Sequence, residues 1–201
     1  MNDSDKEQIR ILTVVGTSRP GNYTSKAVKL VVDELRSQAD VAAEIFDPAE
    51  NRLPLPGLNG DDSGAHKLQE AVRNATGVIL STPEYHGGMS SMIKLVIENL
   101  GFPSNLAGKP VALLGVAAGR IGAIKSLEQL RSICSHIGAI VLPGPVSVAN
   151  VRSVFDEEGR CLDETVEKQV RGVADNLLGY IRQYVCPSEC LEDMVRAASA
   201  R

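Results

Sequence analysis

Aromatic side chains are scarce in this chain of 201 residues, which has three Phe, four Tyr and no Trp. Its hydrophobic content of 43% must therefore build an aliphatic core. Long apolar runs are also lacking, and none approaches the ~18 residues that a membrane-spanning helix needs. There is no excess of basic residues either, because the net charge is −4. A nucleic-acid binder presents a basic face, so the charge argues against a nucleic-acid partner. The lack of long apolar runs argues against a membrane partner.

Cysteine and histidine are few, at four and three residues. The polar and acidic residues 1–8 are unlike a signal peptide and predict the cytoplasm, where the cysteines need no disulfide. We expect Cys134, which falls in a helical pattern, to pack as a small apolar residue. The histidines lack the spacing of metal ligands, so no metal site is predicted. They are His66, His86 and His136.

The most informative stretch is a strand–loop–helix pattern over residues 9–28. Its apolar run stops at Gly16, a loop rich in hydroxyl groups follows, and a helical pattern begins near Thr24. The unpaired N–H groups and positive dipole end of that helix face the loop, where Arg19 adds a planar set of donors. We interpret the loop as a phosphate cradle, and the alternative is a turn that only caps the helix. The candidate donors are Thr17, Ser18, Arg19, Asn22, Tyr23, Thr24 and Ser25.

Five apolar strand patterns alternate with helical patterns along the chain, near residues 10, 43, 78, 113 and 146. This alternation predicts an α/β fold with a doubly wound parallel sheet and helices on both faces. The ligand of such a sheet binds at the carboxyl ends of the strands, where the strand order reverses. Three loops with unusual chemistry collect at that edge: residues 16–25, 81–88 and 117–122.

The length suits one domain, which we place at residues 9–185. It would follow a disordered N-terminus at 1–8 and precede a C-terminal tail at 186–201, in which a short helix is conceivable. The long irregular connection at 48–64 is apolar at its centre and is either a simple connection or a lid or subunit contact. The helix predicted over 89–100 has a wide apolar face, which suggests burial against a partner as well as the sheet.

The loops resemble those of the NADPH-dependent FMN reductase family, a flavodoxin-like group of flavin, quinone, azo-dye and chromate reductases. The first loop of the family runs Gly-Ser-x-Arg-x-x-Ser-x-Asn, and the residues that match it here are Gly16, Thr17, Arg19 and Thr24, with Asn22 at the second Ser. The second loop of the family runs Thr-Pro-Glu-Tyr-Asn-Gly. It is matched by Thr82, Pro83, Glu84, Tyr85 and Gly87, with His86 in place of Asn. The resemblance covers roughly residues 9–182.

The resemblance implies a flavodoxin-like five-stranded sheet of order 2-1-3-4-5 and an FMN cofactor. The first loop would hold the phosphate and the second the isoalloxazine ring, which the backbone can approach closely because Gly87 has no side chain. In the third loop Arg120 would meet a nicotinamide phosphate or an anionic acceptor, or would be an ordinary surface arginine. For Glu84 and His86 a solvated loop position is the alternative. The predicted cofactor-binding residues are Thr17, Arg19, Asn22, Tyr23, Thr24, Pro83, Glu84, Tyr85, His86, Gly87, Ala118, Gly119 and Arg120.

The function expected from this resemblance is an FMN-dependent NAD(P)H oxidoreductase. It would pass hydride from NADPH or NADH to FMN, and then electrons to a flavin, quinone, azo compound or metal oxyanion. No catalytic side chain is predicted, because hydride transfer through bound FMN needs positioning rather than proton abstraction. A homodimer or homotetramer is expected. Two alternatives stay open: a flavodoxin-like electron carrier without nicotinamide activity, and a flavin-free regulatory module that binds a phosphate ligand.

Overall fold

The computed structural model describes residues 8–58 and 60–187. The predictions for the N-terminus and for a helix in the C-terminal tail concern almost entirely residues outside these ranges. The strands are β1 Ile9–Val15, β2 Val41–Phe46, β3 Gly77–Tyr85, β4 Gly88–Met89, β5 Pro110–Val116, β6 Ile140–Val141 and β7 Val146–Val148. The helices are α1 Tyr23–Arg36, α2 Ser63–Asn74, α3 Ser91–Glu98, α4 Ile124–His136, α5 Val151–Val154 and α6 Glu164–Tyr180, which continues into a π-helical turn, Ile181–Val185.

The main sheet is parallel, in the order β2-β1-β3-β5, and both β6 and β7 pair with the outer side of β5. The two short strands together fill the fifth position, so the predicted doubly wound sheet of order 2-1-3-4-5 is confirmed. The fifth strand is broken at residues 142–145, which include Pro143 and Pro145. Proline has no N–H to donate to a ladder, and this explains the interruption.

Helices cover both faces of the sheet, because successive residues of a buried strand point to opposite sides. Ile11 packs in the cluster with α1, α5 and α6, and its neighbour Leu12 packs in the cluster with α2, α3 and α4. The twelve largest fully buried side chains in the described residues are all Leu or Ile, so the core is aliphatic as predicted. Cys134 lies in this core, and burial raises the pKa of its thiol to about 12. Within the described ranges, none of the helices is both long enough and apolar enough to cross a bilayer.

The second of the three predicted loops is mostly a strand and a hairpin, so its prediction as a loop over 81–88 was wrong. β5 runs beside β3 as far as the pair Pro83–Val116, so β3 keeps a neighbour after β1 has ended. The chain then turns at His86 and Gly87, which have φ of 52° and 73°. Two positive φ values in succession are what a two-residue type I′ hairpin turn requires. The segment therefore presents a paired β-hairpin at the edge of the sheet.

Candidate cofactor site

The candidate site lies at the carboxyl ends of β1 and β3. The ladder between these strands ends at the pair Val15–Ser81. The chain moves from β1 to β2 on one side and later enters β3 on the other side, so the strand order reverses between them. This is the switch point at which doubly wound sheets bind their ligands. The first loop, the tip of the β3–β4 hairpin and the third loop all meet this edge.

Gly16 fixes how closely the first loop approaches the next strand. A Cβ atom on Gly16 would lie 2.1 Å from the backbone oxygen of Ser81, so no side chain fits. The Ser90 hydroxyl donates to the Gly16 carbonyl oxygen and accepts from Ile93 N at 3.1 Å, which caps α3. Sequence reasoning missed Ser90, although a serine directly before an apolar helical run is a typical N-cap signal.

Asn22 uses both ends of its amide group inside the first loop. Its Oδ1 accepts from Ser25 N at 2.7 Å and caps α1, and its Nδ2 donates to the Arg19 carbonyl oxygen at 2.8 Å. The capping alternative therefore applies to Asn22. Tyr23 packs its ring against the core on the α6 side, with Lys26 Nζ 5.0 Å from the ring centroid. These contacts are with the protein itself, and none of them indicates a ligand.

Thr24 is the residue of the first loop that most directly indicates a ligand. It lies in the first turn of α1 and is 1% exposed, yet its Oγ1 has no hydrogen-bond partner in the described structure. Leaving a buried hydroxyl unpaired is unfavourable by about 1–3 kcal/mol. A phosphate at the N-terminus of α1 would accept from this hydroxyl and from the unpaired amides of the first turn. The residues present thus fit a phosphate group.

The first loop and the hairpin contact each other through Thr17, Arg19 and Tyr85. The hydroxyl groups of Thr17 and Tyr85 share a hydrogen bond of 3.3 Å, and Thr17 Oγ1 also accepts from Arg19 N at 3.3 Å. The guanidinium carbon of Arg19 lies 4.2 Å from the centroid of the Tyr85 ring. Thr17 and Arg19, which were predicted to bind the phosphate, are therefore in contact with Tyr85, which was predicted to line the ring site.

The hairpin is attached to α4 by two hydrogen bonds. Glu84 Oε2 accepts from Ser126 N at 3.2 Å, in the first turn of α4, whose own N-cap residue Ala123 makes no side-chain cap. Met89 N donates to Gln129 Oε1 at 3.1 Å. A carboxylate is stabilised at a helix N-terminus, so Glu84 acts as a capping group rather than as a solvated loop charge. Sequence reasoning did not find this contact, which joins residues 42 positions apart.

The remaining predicted residues of the second segment have different environments. Pro83 is buried where β3 continues past the end of β1. His86 is exposed at the hairpin tip. The side chain of Lys125, which sequence reasoning missed, lies 3.7 Å from the position that a Cβ on Gly87 would occupy. The tip therefore combines an accessible backbone with a nearby ammonium group.

The third loop and the residues that follow it are held by hydrogen bonds to β7 and to the residue Asn150 just after it. Asn150 N donates to the Gly119 carbonyl oxygen at 3.1 Å, and Ser147 Oγ accepts from Ala123 N at 2.8 Å. Sequence reasoning missed Asn150 and Ser147, because the broken strand pattern obscured their position. The predicted residues of this loop are all exposed at the ligand edge: Ala118, Gly119 and Arg120.

The charges at this edge favour an anionic ligand. Arg19, Arg120 and Lys125 make no ion pair with any described residue, although the chain as a whole carries −4. Unmatched cations near a helix N-terminus raise the local positive potential and suit a phosphate. In residues 8–58 and 60–187, no group of three or more potential metal ligands comes together.

The sheet order, the phosphate-compatible switch point and the adjacent hairpin define a flavodoxin-like cofactor-binding protein. The family model described as NADPH-dependent FMN reductase matches residues 9–152. The chain belongs to this family. Its class is therefore that of an oxidoreductase with FMN as cofactor and a reduced nicotinamide as co-substrate, as the resemblance implied.

Individual proteins agree with this assignment. The chain is 31% identical over 181 residues to an NADPH azoreductase of Bacillus sp. (strain OY1-2), which covers 88% of this chain and 94% of that protein. It is 26% identical over 184 residues to an NAD(P)H-dependent FMN reductase of Pseudomonas aeruginosa, which covers 88% and 97%. The structure of the flavoenzyme NAD(P)H:(acceptor) oxidoreductase FerB from Paracoccus denitrificans superposes with a TM-score of 0.71 at 21% identity, over 88% and 98% of the two chains. This last likeness concerns the fold.

Proposed function

We propose that the protein reduces a small-molecule acceptor, either a flavin, a quinone, an azo compound or a metal oxyanion, with electrons from NADPH or NADH through bound FMN. The observation that carries the proposal is the buried hydroxyl of Thr24 at the α1 N-terminus, which has no partner among the described residues and follows the loop that contains the exposed Arg19. The similarity to an NADPH azoreductase supports azo compounds as one acceptor class.

Different residues bind the phosphate and the ring of the cofactor. Thr24 and Arg19 bind the phosphate, while Thr17 keeps the first loop in place through its hydrogen bonds to Arg19 N and to Tyr85. The hairpin offers its backbone at Gly87 to the ring edge, and the small Gly119 leaves room on the other side. FMN, when bound, supplies the hydride and electron transfer chemistry.

An anaerobic titration of the FMN-loaded protein with NADPH and with NADH tests the proposal. We expect at least one nicotinamide to bleach the flavin absorbance stoichiometrically, and an added acceptor to restore it. A carrier without nicotinamide activity would stay oxidised with both nicotinamides. A regulatory module without flavin would take up no FMN and remain colourless, and either result would contradict the proposal.

We further infer that the chain forms a homodimer or homotetramer through an apolar surface made by the 53–58 loop and the segment after α3. Asn99 Nδ2 donates to the Pro54 carbonyl oxygen at 3.1 Å, which attaches the loop to the end of α3. Three large apolar side chains are exposed there: Leu55 by 59%, Leu58 by 66% and Phe102 completely. Large apolar side chains exposed on neighbouring segments are typical of an interface.

The double substitution Leu55→Glu with Phe102→Glu is expected to reduce the molecular mass in solution to that of one chain, since two charges would be desolvated at the interface. Light scattering coupled to size-exclusion chromatography measures this mass. Leu162→Glu is the matched control, because Leu162 is 65% exposed outside this surface and its replacement should preserve the assembly. An unchanged mass for the double variant would contradict the interface.

A further inference from the structure

We propose that Tyr85 is a positioning residue for Arg19: its ring holds the guanidinium where it can bind the cofactor phosphate. Tyr85 would then contribute to binding of the phosphate, in addition to any contact with the flavin ring. This inference rests on the proposed function, in which the first loop holds the phosphate of FMN.

The contact with the Tyr85 ring restricts the long side chain of Arg19. Arg19 is exposed, and its long side chain loses considerable rotamer freedom whenever it is held in one place. The guanidinium carbon lies 4.2 Å from the Tyr85 ring centroid, within the range of a cation–π contact. A guanidinium that packs on a ring through its face keeps its in-plane N–H donors free for a bidentate contact with a phosphate.

Tyr85 is itself fixed at both ends, so it can serve as a support. Its hydroxyl shares a 3.3 Å hydrogen bond with Thr17 Oγ1, and Thr17 is only 2% exposed. Its backbone pairs with Gly88 in the hairpin, and the preceding Glu84 bonds to α4. The position of the ring is therefore determined by the sheet, by the first loop and by α4, before any ligand binds.

The competing role for Tyr85 is a wall of the flavin ring site. Riboflavin has the same ring as FMN but no phosphate, so the two roles predict different results. Loss of a ring wall weakens both ligands by one factor, whereas loss of support for Arg19 weakens FMN alone. The ratio of the dissociation constants for riboflavin and FMN therefore reports the role of Tyr85, and it is measured by flavin fluorescence without any turnover.

We expect Tyr85→Leu to weaken FMN binding about two- to five-fold more than riboflavin binding, which is the size of an exposed cation–π contact. Tyr85→Phe keeps the ring and should keep the wild-type ratio. In an Arg19→Ala background, Tyr85→Leu should leave the ratio unchanged, since there is no guanidinium left to support.

Equal weakening of both ligands by Tyr85→Leu would overturn the inference, and so would a full effect of Tyr85→Leu on the ratio in the Arg19→Ala background. A ratio that falls in Tyr85→Phe as far as in Tyr85→Leu would also overturn it, since the ring would then be irrelevant. If the proposed phosphate site itself is wrong, the wild-type protein will bind riboflavin as tightly as FMN. This titration of the wild-type protein therefore distinguishes failure of the proposed function from failure of the role of Tyr85.

Discussion

Arg19→Ala is expected to weaken FMN binding roughly 10- to 150-fold and to leave riboflavin binding nearly unchanged. A hydrogen bond to a charged group contributes about 1.5–3 kcal/mol, which corresponds to this range. Arg19 is exposed and makes no ion pair with a described residue, so its removal should affect the ligand far more than the fold. Equilibrium titration of FMN fluorescence at constant ionic strength measures the change.

Two further variants make the Arg19 experiment specific. Arg19→Lys keeps the charge but loses the planar fork, so we expect an intermediate affinity. Arg36→Ala removes an exposed cation from the last turn of α1, at the end away from the first loop, and should leave FMN affinity unaltered. An Arg19→Ala protein that retains FMN as tightly as Arg36→Ala would show that the guanidinium does not hold the phosphate.

The alternation of strands and helices could be predicted because most of these elements have a clear apolar pattern of their own, whereas the strand order was implied by the family resemblance. The apolar run before Gly16 and the one before Gly119 are strands buried on both faces, and such strands need no long-range information to be identified. The end of β3 could not be predicted in this way. The residues after Leu80 are polar, and only the presence of β5 beside them shows that they continue the sheet.

The sequence predicted that three segments meet at one edge of the sheet, but it did not show which contacts the individual side chains of these segments make. The first loop offers several similar donors, and only the structure shows that Asn22 is used in capping α1 while the Thr24 hydroxyl is left unpaired. Glu84 presented a similar difficulty, because its partner Ser126 lies in a distant helix. Contacts of this kind depend on the packing of α4 against the hairpin, and a local pattern does not encode it.

Thr24→Val should weaken FMN binding by about tenfold or more, because the phosphate loses a hydroxyl donor inside a buried site. The same substitution should raise the free energy of unfolding of the FMN-free protein by about 1 kcal/mol, since it removes an unpaired buried hydroxyl and nearly preserves the shape of the side chain. Urea unfolding of the FMN-free protein and FMN titration measure the two effects. Opposite signs for stability and for affinity are expected of a group that is kept for its ligand.

Thr13→Val is the control for this experiment. Thr13 lies inside β1, is fully buried, and its Oγ1 also has no partner in the described structure. Its replacement should stabilise the protein by a similar amount and leave FMN affinity unchanged, because Thr13 lies inside the sheet, paired with Ile45 and Ile79, and not in the first loop. If both variants gain stability and neither loses FMN, the unpaired hydroxyl of Thr24 is a packing defect like that of Thr13. If only Thr24→Val loses FMN, the unpaired hydroxyl at the α1 N-terminus is a phosphate donor whose partner is the cofactor.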